Sequence, residues 1–354
     1  MAVIDTYLKG MLELGGSDLH MAADCAPGVR VAGRVAPLEE PPLPAERVEA
    51  LLTEIMPEKI REQFRNQYNA EFLYDLQGVG RFRCNCFFQH RGMGAVFRVI
   101  PSQAPELADI NAPNVISKIC RYRRGLIFIT GPTGSGKTTL LAAMLHYINT
   151  HFNRYIITLE EMIEFVHSNR ESIIVQREIG EHTNSFAAAL RSAMQADVDI
   201  IAVGEMRDRE TLNLALESAS TGTLVIGTLH TNSAAKTVER VIDMFPFSQR
   251  PKARAILADT LVAVVSQQLC RRADDSGRIP AHEILLHSPS LGPSIRRDHI
   301  AQIRELITSG QSEGMCPMDD SLLTLYEQGL ITAEEAYLRA NEKDTFAHHL
   351  AAEA

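Results

Sequence analysis

Apolar residues recur in short, nearly continuous runs from about residue 116 onward, and amphipathic stretches separate these runs. The runs predict strands that are buried on both faces, at 125–130, 155–159, 172–176, 199–203 and 223–228. The amphipathic stretches predict helices at 137–149, 185–196, 209–220 and 234–243. Helices that alternate with buried strands are typical of a doubly wound parallel sheet, so we expect an α/β core at 116–282.

The first hundred residues mix helical and strand patterns. Helices are predicted at 4–14 and 45–66, and short strands around 29–31 and 34–35. Alternating side chains over Arg81–Gln89 and Ala95–Ile100, on either side of a glycine-rich turn, predict two paired strands. Cys84 and Cys86 should share one face of the first of these strands, as small core or sheet-face residues. The pattern predicts an α+β domain at 1–103.

The two predicted domains are separated by a polar, proline-containing stretch from Pro101 to Pro113. We place the linker at 104–115. The chain from 283 to 354 is predicted to be largely helical, with Pro289, Gly292 and Pro293 as interruptions.

A complete phosphate-binding loop follows the first apolar run of the core. Its residues are Gly131, Pro132, Thr133, Gly134, Ser135, Gly136, Lys137 and Thr138, in the pattern G-x-x-x-x-G-K-T. Backbone N–H groups of such a loop, and the N-terminus of the helix after it, surround the phosphates of a nucleotide. Lys137 is expected to reach the β- and γ-phosphates and the Thr138 hydroxyl to ligate Mg²⁺, with Thr139 beside them. The sequence predicts ATP and Mg²⁺ as cofactors.

Polar residues at the ends of later strands supply candidate catalytic groups. Glu160 and Glu161 follow the predicted strand 155–159, Glu205 follows the buried run 200–203, and His230 follows the run 223–228. Carboxyl ends of parallel strands line the ligand crevice, so these side chains should face the nucleotide. A carboxylate there can hold the Mg²⁺ shell, directly or through water, or accept a proton from the attacking water. Solvated charge at a strand end is the alternative for the glutamates, and a structural role is the alternative for His230.

Composition excludes some classes of function. The net charge of −9 argues against a chain that grips nucleic acid along its whole surface. No apolar run approaches the ~20 residues that cross a bilayer, and the N-terminus lacks a signal-peptide layout. The six cysteines contain no CxxC pair, which suits a reducing cytosol. We therefore expect a cytoplasmic protein without direct membrane insertion and without a nucleic-acid partner.

Five segments together carry a specific resemblance. They are Gly131–Thr138, Thr158–Glu160, Gln176–Glu178, Val203–Asp208 and Gly227–Thr231. In these segments, and in supporting ones such as Gly16–His20 and Arg81–Asn85, the chain resembles the secretion ATPase superfamily and, within it, the PilT family of type IV pilus retraction ATPases. The resemblance extends over essentially the whole chain.

The resemblance implies a RecA-like P-loop core and an N-terminal PAS-like domain, assembled as a homohexamer that hydrolyses ATP. Its motion would act on the pilus platform protein at the cytoplasmic face of the inner membrane, in pilus retraction and twitching motility. The N-terminal arginines that could close on the nucleotide are Arg81, Arg83, Arg91 and Arg98. A paralogous retraction ATPase is a further candidate partner.

Several positions depart from the family pattern. Glu161-Met162 stands where the family has Asp-Pro, Gln195 lies in a changed segment before Glu205, and Thr223 replaces a histidine. The C-terminal retraction motif is altered at 290–297. These departures motivate an alternative, an accessory ring subunit that binds ATP, hydrolyses it weakly and supports another retraction ATPase. A nucleic-acid translocase on the same core is a third hypothesis, which the acidic balance disfavours.

Overall fold

The computed structural model describes residues 2–31, 33–100 and 103–353 of the chain. Pro101 and Ser102, at the start of the predicted linker stretch, lie outside the described residues. Contacts divide the chain into two compact units, Met1–Gln103 and Ala104–Ala354. Among the described residues, no helix is both long and apolar enough to span a membrane.

The first unit contains one antiparallel sheet with helices. Its helices are α1 (Ile4–Glu13), α2 (Ala45–Ile55) and α3 (Glu58–Gln67). Its strands are β1 (Asp18–Ala22), β2 (Gly28–Val31), β3 (Arg34–Pro37), β4 (Asn69–Leu76), β5 (Gly80–Gln89) and β6 (Gly92–Ile100). The six strands run in the order β3-β2-β1-β6-β5-β4. The predicted pairing of β5 with β6 is confirmed, whereas the sequence patterns left β1 and β4 unassigned.

The single helix predicted at 45–66 is wrong. The chain leaves the helical conformation at Met56, whose ψ is 122°, and a new helix begins after Pro57. A proline disfavours helical geometry in the residue before it and cannot donate a backbone hydrogen bond, so the helix divides here. Amphipathic periodicity continues across the break, which explains why the pattern alone predicts one helix.

The two faces of this sheet differ in chemistry. Phe82, Cys84, Cys86 and Phe97 are fully buried in the core of the unit, so the expectation for the two cysteines is confirmed. On the opposite face, a polar row crosses four strands at register positions Arg30, Asp18, Arg98 and Arg83. The alternation predicted for β5 and β6 therefore separates an apolar face from a charged one.

The second unit is a sheet with helices, followed by a helical C-terminal region. Its strands are β7 (Gly125–Thr130), β8 (Tyr155–Glu160), β9 (Ile173–Glu178), β10 (Ile200–Val203), β11 (Leu224–Leu229), β12 (Leu261–Arg271) and β13 (Arg278–Leu286). Its helices up to the last strand are α4 (Asn114–Ile119), α5 (Lys137–His151), α6 (Phe186–Ala193), α7 (Arg209–Ser220), α8 (Ala234–Asp243) and α9 (Arg250–Thr260). After β13 come α10 (Leu291–Arg296), α11 (Gln302–Ser309), α12 (Met318–Glu327), α13 (Ala333–Arg339) and α14 (Asp344–Glu353).

The seven strands run in the order β13-β12-β7-β11-β10-β8-β9, all parallel except the edge strand β13. The five predicted strands and the parallel α/β core are confirmed. β12 and β13 were not predicted, and the helical region begins after Leu286 rather than at 283. Gly292 and Pro293 do not interrupt it, because both lie in the first turn of α10, where a missing N–H costs nothing.

A buried histidine, His282, and a half-buried one, His167, make the stability of the fold depend on pH. Burial lowers the pKa of both His282 and His167 to about 4, below the ordinary value of 6.5. Between these values the unfolded chain binds more protons than the folded chain, so lowering the pH favours unfolding. The unfolding free energy should fall by about 2 kcal/mol for each histidine between pH 7 and pH 5.

Urea unfolding at the two pH values measures this loss. His282→Asn should lose less stability over the same interval than the wild-type chain, whereas the control His299→Asn, at an exposed position, should match the wild type. Equal losses in all three chains would contradict the assignment of this pH dependence to His282.

Candidate nucleotide-binding site

The phosphate-binding loop lies between β7 and α5, as predicted. β7 is buried along its whole length, and α5 begins at Lys137. Gly131 and Gly136 have φ values of 148° and 86°, which side chains disfavour. A Cβ at Gly131 would lie 2.2 Å from the backbone oxygen of Gln267, and one at Gly136 would lie 2.7 Å from its Nε2 atom. Both glycines are therefore required by backbone conformation and by the close approach of β12.

The remaining loop residues divide into exposed and buried positions. Pro132, Thr133, Gly134 and Thr138 are exposed, whereas Ser135 is only 2% exposed. Thr138 is the second residue of α5 and Thr139 follows it, half-buried, in the same helical turn. The open side of the loop and the N-terminus of α5 are thus accessible to a ligand with phosphate groups.

Lys137 folds back over the loop that precedes it. Its Nζ atom donates hydrogen bonds of 2.9 Å to the carbonyl oxygens of Gly131 and Pro132. The same atom lies 3.5 Å from Nδ1 of His230. Burial lowers the pKa of Lys137, and the nearby carboxylate of Glu205 opposes that shift. The ammonium group is therefore held at the loop by weak, neutral acceptors, which a phosphate can replace.

Glu205 lies at the centre of a chain of charged groups. Its Oε1 atom is 2.8 Å from Nε2 of His230 and 2.6 Å from Nε of Arg207. Arg207 in turn pairs with Glu161, with 3.1 Å between Nη2 and Oε2. Burial by itself would raise the pKa of Glu205, but the hydrogen bond from Arg207 and the charge of His230 bring it below the ordinary value. Glu205 is therefore held as a carboxylate between two donors.

Glu160 has a different environment at the end of β8. Its Oε1 atom accepts hydrogen bonds from Thr158 Oγ1 at 2.5 Å and from Gln176 Nε2 at 3.0 Å. Burial raises the pKa of Glu160 above its ordinary value, although these two donors oppose the shift. β8 and β10 are neighbours, and Gly204 packs directly on Glu160, since a Cβ at Gly204 would lie 3.4 Å from the Glu160 Cα atom. Two carboxylates with opposite pKa shifts thus lie at the carboxyl ends of adjacent strands.

The four N-terminal arginines lie in the first unit. Arg81, Arg83 and Arg98 lie near one end of the β5–β6 pair, with Asp75, Glu71 and Asp18 as their respective acidic neighbours. Arg91 is exposed in the turn at the other end of β5, eight residues from Arg83, which is about 26 Å along a strand. Arg91 and the other three therefore cannot contact one phosphate together, and contact of any of them with a nucleotide stays a prediction.

The structure brings Lys137, Glu205 and His230 together as the sequence predicts, with Glu160 on the strand next to Glu205. Two contributors were not among the predicted site residues. Arg207 lies two residues after Glu205, inside a motif segment, so its position alone could have singled it out. Gln267 follows the loop by more than a hundred residues, and no local pattern marks it.

Comparison with known proteins identifies the family of this chain. Residues 77–318 match the model of the family described as Type II/IV secretion system protein. The chain belongs to this family. It is 45% identical to a twitching motility protein of Neisseria gonorrhoeae, over 91% of this chain and 86% of that protein. It is also 45% identical to the type IV pilus retraction ATPase PilT of Pseudomonas aeruginosa, over 94% and 96% of the two chains.

Among solved structures, a crystal structure of the pilus retraction motor PilT with bound ADP matches with a TM-score of 0.90. That match is 39% identical in sequence and covers 98% of each chain. The predicted membership of the PilT family, the RecA-like fold and the class of enzyme, an ATPase, are therefore confirmed. The roles of individual site residues stay predictions.

Proposed function

We propose that this chain is the ATP-hydrolysing subunit of a ring-shaped motor that powers retraction of a type IV pilus. The observation that carries the proposal is the contiguous set Lys137, His230, Glu205 and Arg207 beside a complete phosphate-binding loop. In this arrangement the loop binds the phosphates of ATP, and Lys137 exchanges its carbonyl partners for phosphate oxygens. His230, between Lys137 and Glu205, is placed to respond to the presence of the γ-phosphate.

The two carboxylates suit different tasks. A raised pKa makes Glu160 the stronger base, so we assign to it the proton of the attacking water. A lowered pKa keeps Glu205 ionised, which suits a ligand of the Mg²⁺ hydration shell. The Thr138 hydroxyl is the second candidate ligand, and hydroxyl and carboxylate oxygens are the donors that Mg²⁺ prefers. When bound, the ion neutralises charge on the phosphate oxygens.

The positions that depart from the family pattern bear on the accessory alternative. Thr223 directly precedes β11 and Gln195 lies before β10, both at the amino ends of strands whose carboxyl ends carry the site. Glu161 lies at the site, but it retains a carboxylate that pairs with Arg207. None of the proposed catalytic residues Glu160, Glu205 and His230 is among these departures, and this favours an active enzyme over a weakly hydrolysing partner.

The altered retraction motif keeps a defined structure. α10 packs closely on α9, since a Cβ at Gly292 would lie 3.2 Å from the backbone oxygen of Ala258. Ion pairs of Arg296 with Asp259 and of Arg254 with Asp298 link the same two segments. We propose that this helix pair transmits motion of the core to the pilus platform protein at the inner membrane. A homohexamer, with a paralogous retraction ATPase as a further partner, is the assembly that we propose for this work.

The test is the Mg²⁺-dependent ATPase activity of the purified chain, with its mass in solution recorded in the same sample. We expect steady turnover without any partner, no stimulation by DNA or RNA, and a mass of six subunits. We also expect the gene to restore twitching to a bacterium that lacks its own retraction ATPase. Turnover only after addition of a second retraction ATPase would instead establish the accessory role.

A further inference from the structure

Gln267 approaches the phosphate-binding loop from the side of the sheet. β12 runs parallel to β7, and the last register pair joins Ser266 to Thr130, so β12 continues past the end of β7 alongside the loop. Gln267, the next residue, is 4% exposed. Its Nε2 atom donates a hydrogen bond of 2.6 Å to the carbonyl oxygen of Ser135. This side chain therefore contacts the backbone of the loop and not its open face.

The hydrogen bond from Gln267 determines which way one peptide group points. In a trans peptide the C=O and N–H bonds point in opposite directions. Because the Ser135 carbonyl is directed toward Gln267, the N–H of Gly136 is directed away from the sheet, toward the open side of the loop. A backbone N–H in that position can donate a hydrogen bond to a phosphate oxygen. We propose that Gln267 is a positioning residue for ATP binding, which holds the Gly136 N–H toward the phosphates.

His282 keeps the amide of Gln267 in the required orientation. Its Nε2 atom is 2.9 Å from Gln267 Oε1, so the imidazole donates to that oxygen and the amide NH₂ faces Ser135. A flipped amide would place two acceptors, Oε1 and the Ser135 carbonyl oxygen, against each other. His282 is 3% exposed, and its backbone N–H donates to Ser321 Oγ of α12 at 3.1 Å. A buried series of hydrogen bonds thus connects the Ser135–Gly136 peptide, through Gln267 and His282, to Ser321 in α12. This series sets the orientation of the peptide.

The loop itself depends on this support. The glycines at 131 and 136 leave room for Gln267, but glycine also gives the backbone the most conformational freedom. Without an external contact, the Ser135–Gly136 peptide can rotate and turn its carbonyl oxygen toward the phosphates, where two negative groups repel. A donor from β12 removes that alternative. This role of Gln267 rests on the proposed binding of ATP at the loop and is independent of what the motor acts upon.

The decisive comparison is between Gln267→Met and Gln268→Met, which remove adjacent amides of the same type. Gln268 is half-buried and its amide lies 3.5 Å from the Arg339 carbonyl oxygen, away from the loop. In Gln267→Met, the ADP dissociation constant and the KM for ATP should rise together by roughly tenfold to a hundredfold. This range corresponds to the loss of one hydrogen bond to a charged group, here the bond from the Gly136 N–H to a phosphate. Gln268→Met should bind as the wild type does. ADP binding is measured by calorimetry with Mg²⁺, well below the melting temperature of each chain.

A purely structural role for Gln267 gives a different result. Lower stability would reduce the folded fraction and the apparent kcat, but the folded molecules would bind ADP with unchanged affinity. Unchanged ADP affinity in Gln267→Met would therefore overturn the proposal. Gln267→Asn, which keeps an amide beside His282 but is one methylene too short to hold the same bond to the Ser135 carbonyl oxygen, provides the same test if the methionine variant does not fold. It too should bind ADP at least about tenfold more weakly.

The role of His282 is tested by a double-mutant cycle. His282→Leu should weaken ADP binding, and adding it to Gln267→Met should cause little further loss, since His282 acts through Gln267. Losses that add in full would mean that His282 acts independently of the loop, and would overturn that part of the proposal.

Discussion

Replacing Lys137 with alanine is expected to weaken ATP binding by about tenfold to a hundredfold and to reduce turnover by at least about a hundredfold. The ammonium group donates to the Gly131 and Pro132 carbonyl oxygens and lies 3.5 Å from His230 Nδ1. In the proposed role of Lys137, its loss removes the positive charge that faces the β- and γ-phosphates.

Calorimetry with ADP and a steady-state phosphate-release assay measure the two effects. Lys118→Ala, at an exposed position of α4, is the control and should behave as the wild type. Melting temperatures of both variants close to that of the wild type would show that the loss is not one of folding. An alanine variant at Lys137 that hydrolyses ATP at an undiminished rate would contradict the assignment of this loop as the nucleotide site.

Replacing Glu205 with glutamine is expected to reduce turnover by about a hundredfold to a thousandfold while the chain still binds ATP. Glutamine keeps the shape of the side chain but loses the charge that pairs with Arg207 and His230. The loss of that charge also weakens the Mg²⁺ shell, so the variant should need more Mg²⁺ for its residual turnover.

A second glutamate separates the two carboxylate roles. Glu160→Gln should also reduce turnover strongly, because it removes the proposed base, but the Mg²⁺ requirement of its residual turnover should match that of the wild type. Glu239→Gln, at an exposed position of α8, is the control for both. The Mg²⁺ dependence of phosphate release distinguishes Glu160→Gln from Glu205→Gln. If both variants shifted the Mg²⁺ requirement equally, the division of roles between Glu160 and Glu205 would be wrong.

Each predicted strand and site residue is marked by a signal in the few residues next to it in the sequence. β7 and β11 are buried along their lengths, so apolar character alone marks them. The phosphate-binding loop needs a local order of glycines, Lys137 and a helix start. Glu205 and His230 follow buried strands directly, and parallel topology brings such positions to one edge of the sheet. No long-range information was needed for these predictions.

The strands that escaped prediction depend on partners that lie far away in the sequence. β12 contains an apolar run at 261–265 followed by Ser266, Gln267 and Gln268, a pattern that fits helix and strand equally. It becomes a strand because β7 has an open edge on that side, and β13 then covers β12. The division between α2 and α3 was missed for a different reason. Pro57 is a local signal for a helix break, but the amphipathic periodicity continues across it and led to the prediction of a single helix.

The sequence by itself determined the family of this protein and its class, an ATPase, and it predicted which residues approach the phosphates, because loop, strand and helix signals are local and adjacent. Only the tertiary structure decided how those residues are held. The pairing of Arg207 with Glu205 and Glu161, the opposite pKa shifts of Glu160 and Glu205, and the support of Ser135 by Gln267 all join distant segments. Burial and hydrogen bonding between such segments exist only after the sheet has formed, and no local pattern in the chain encodes them.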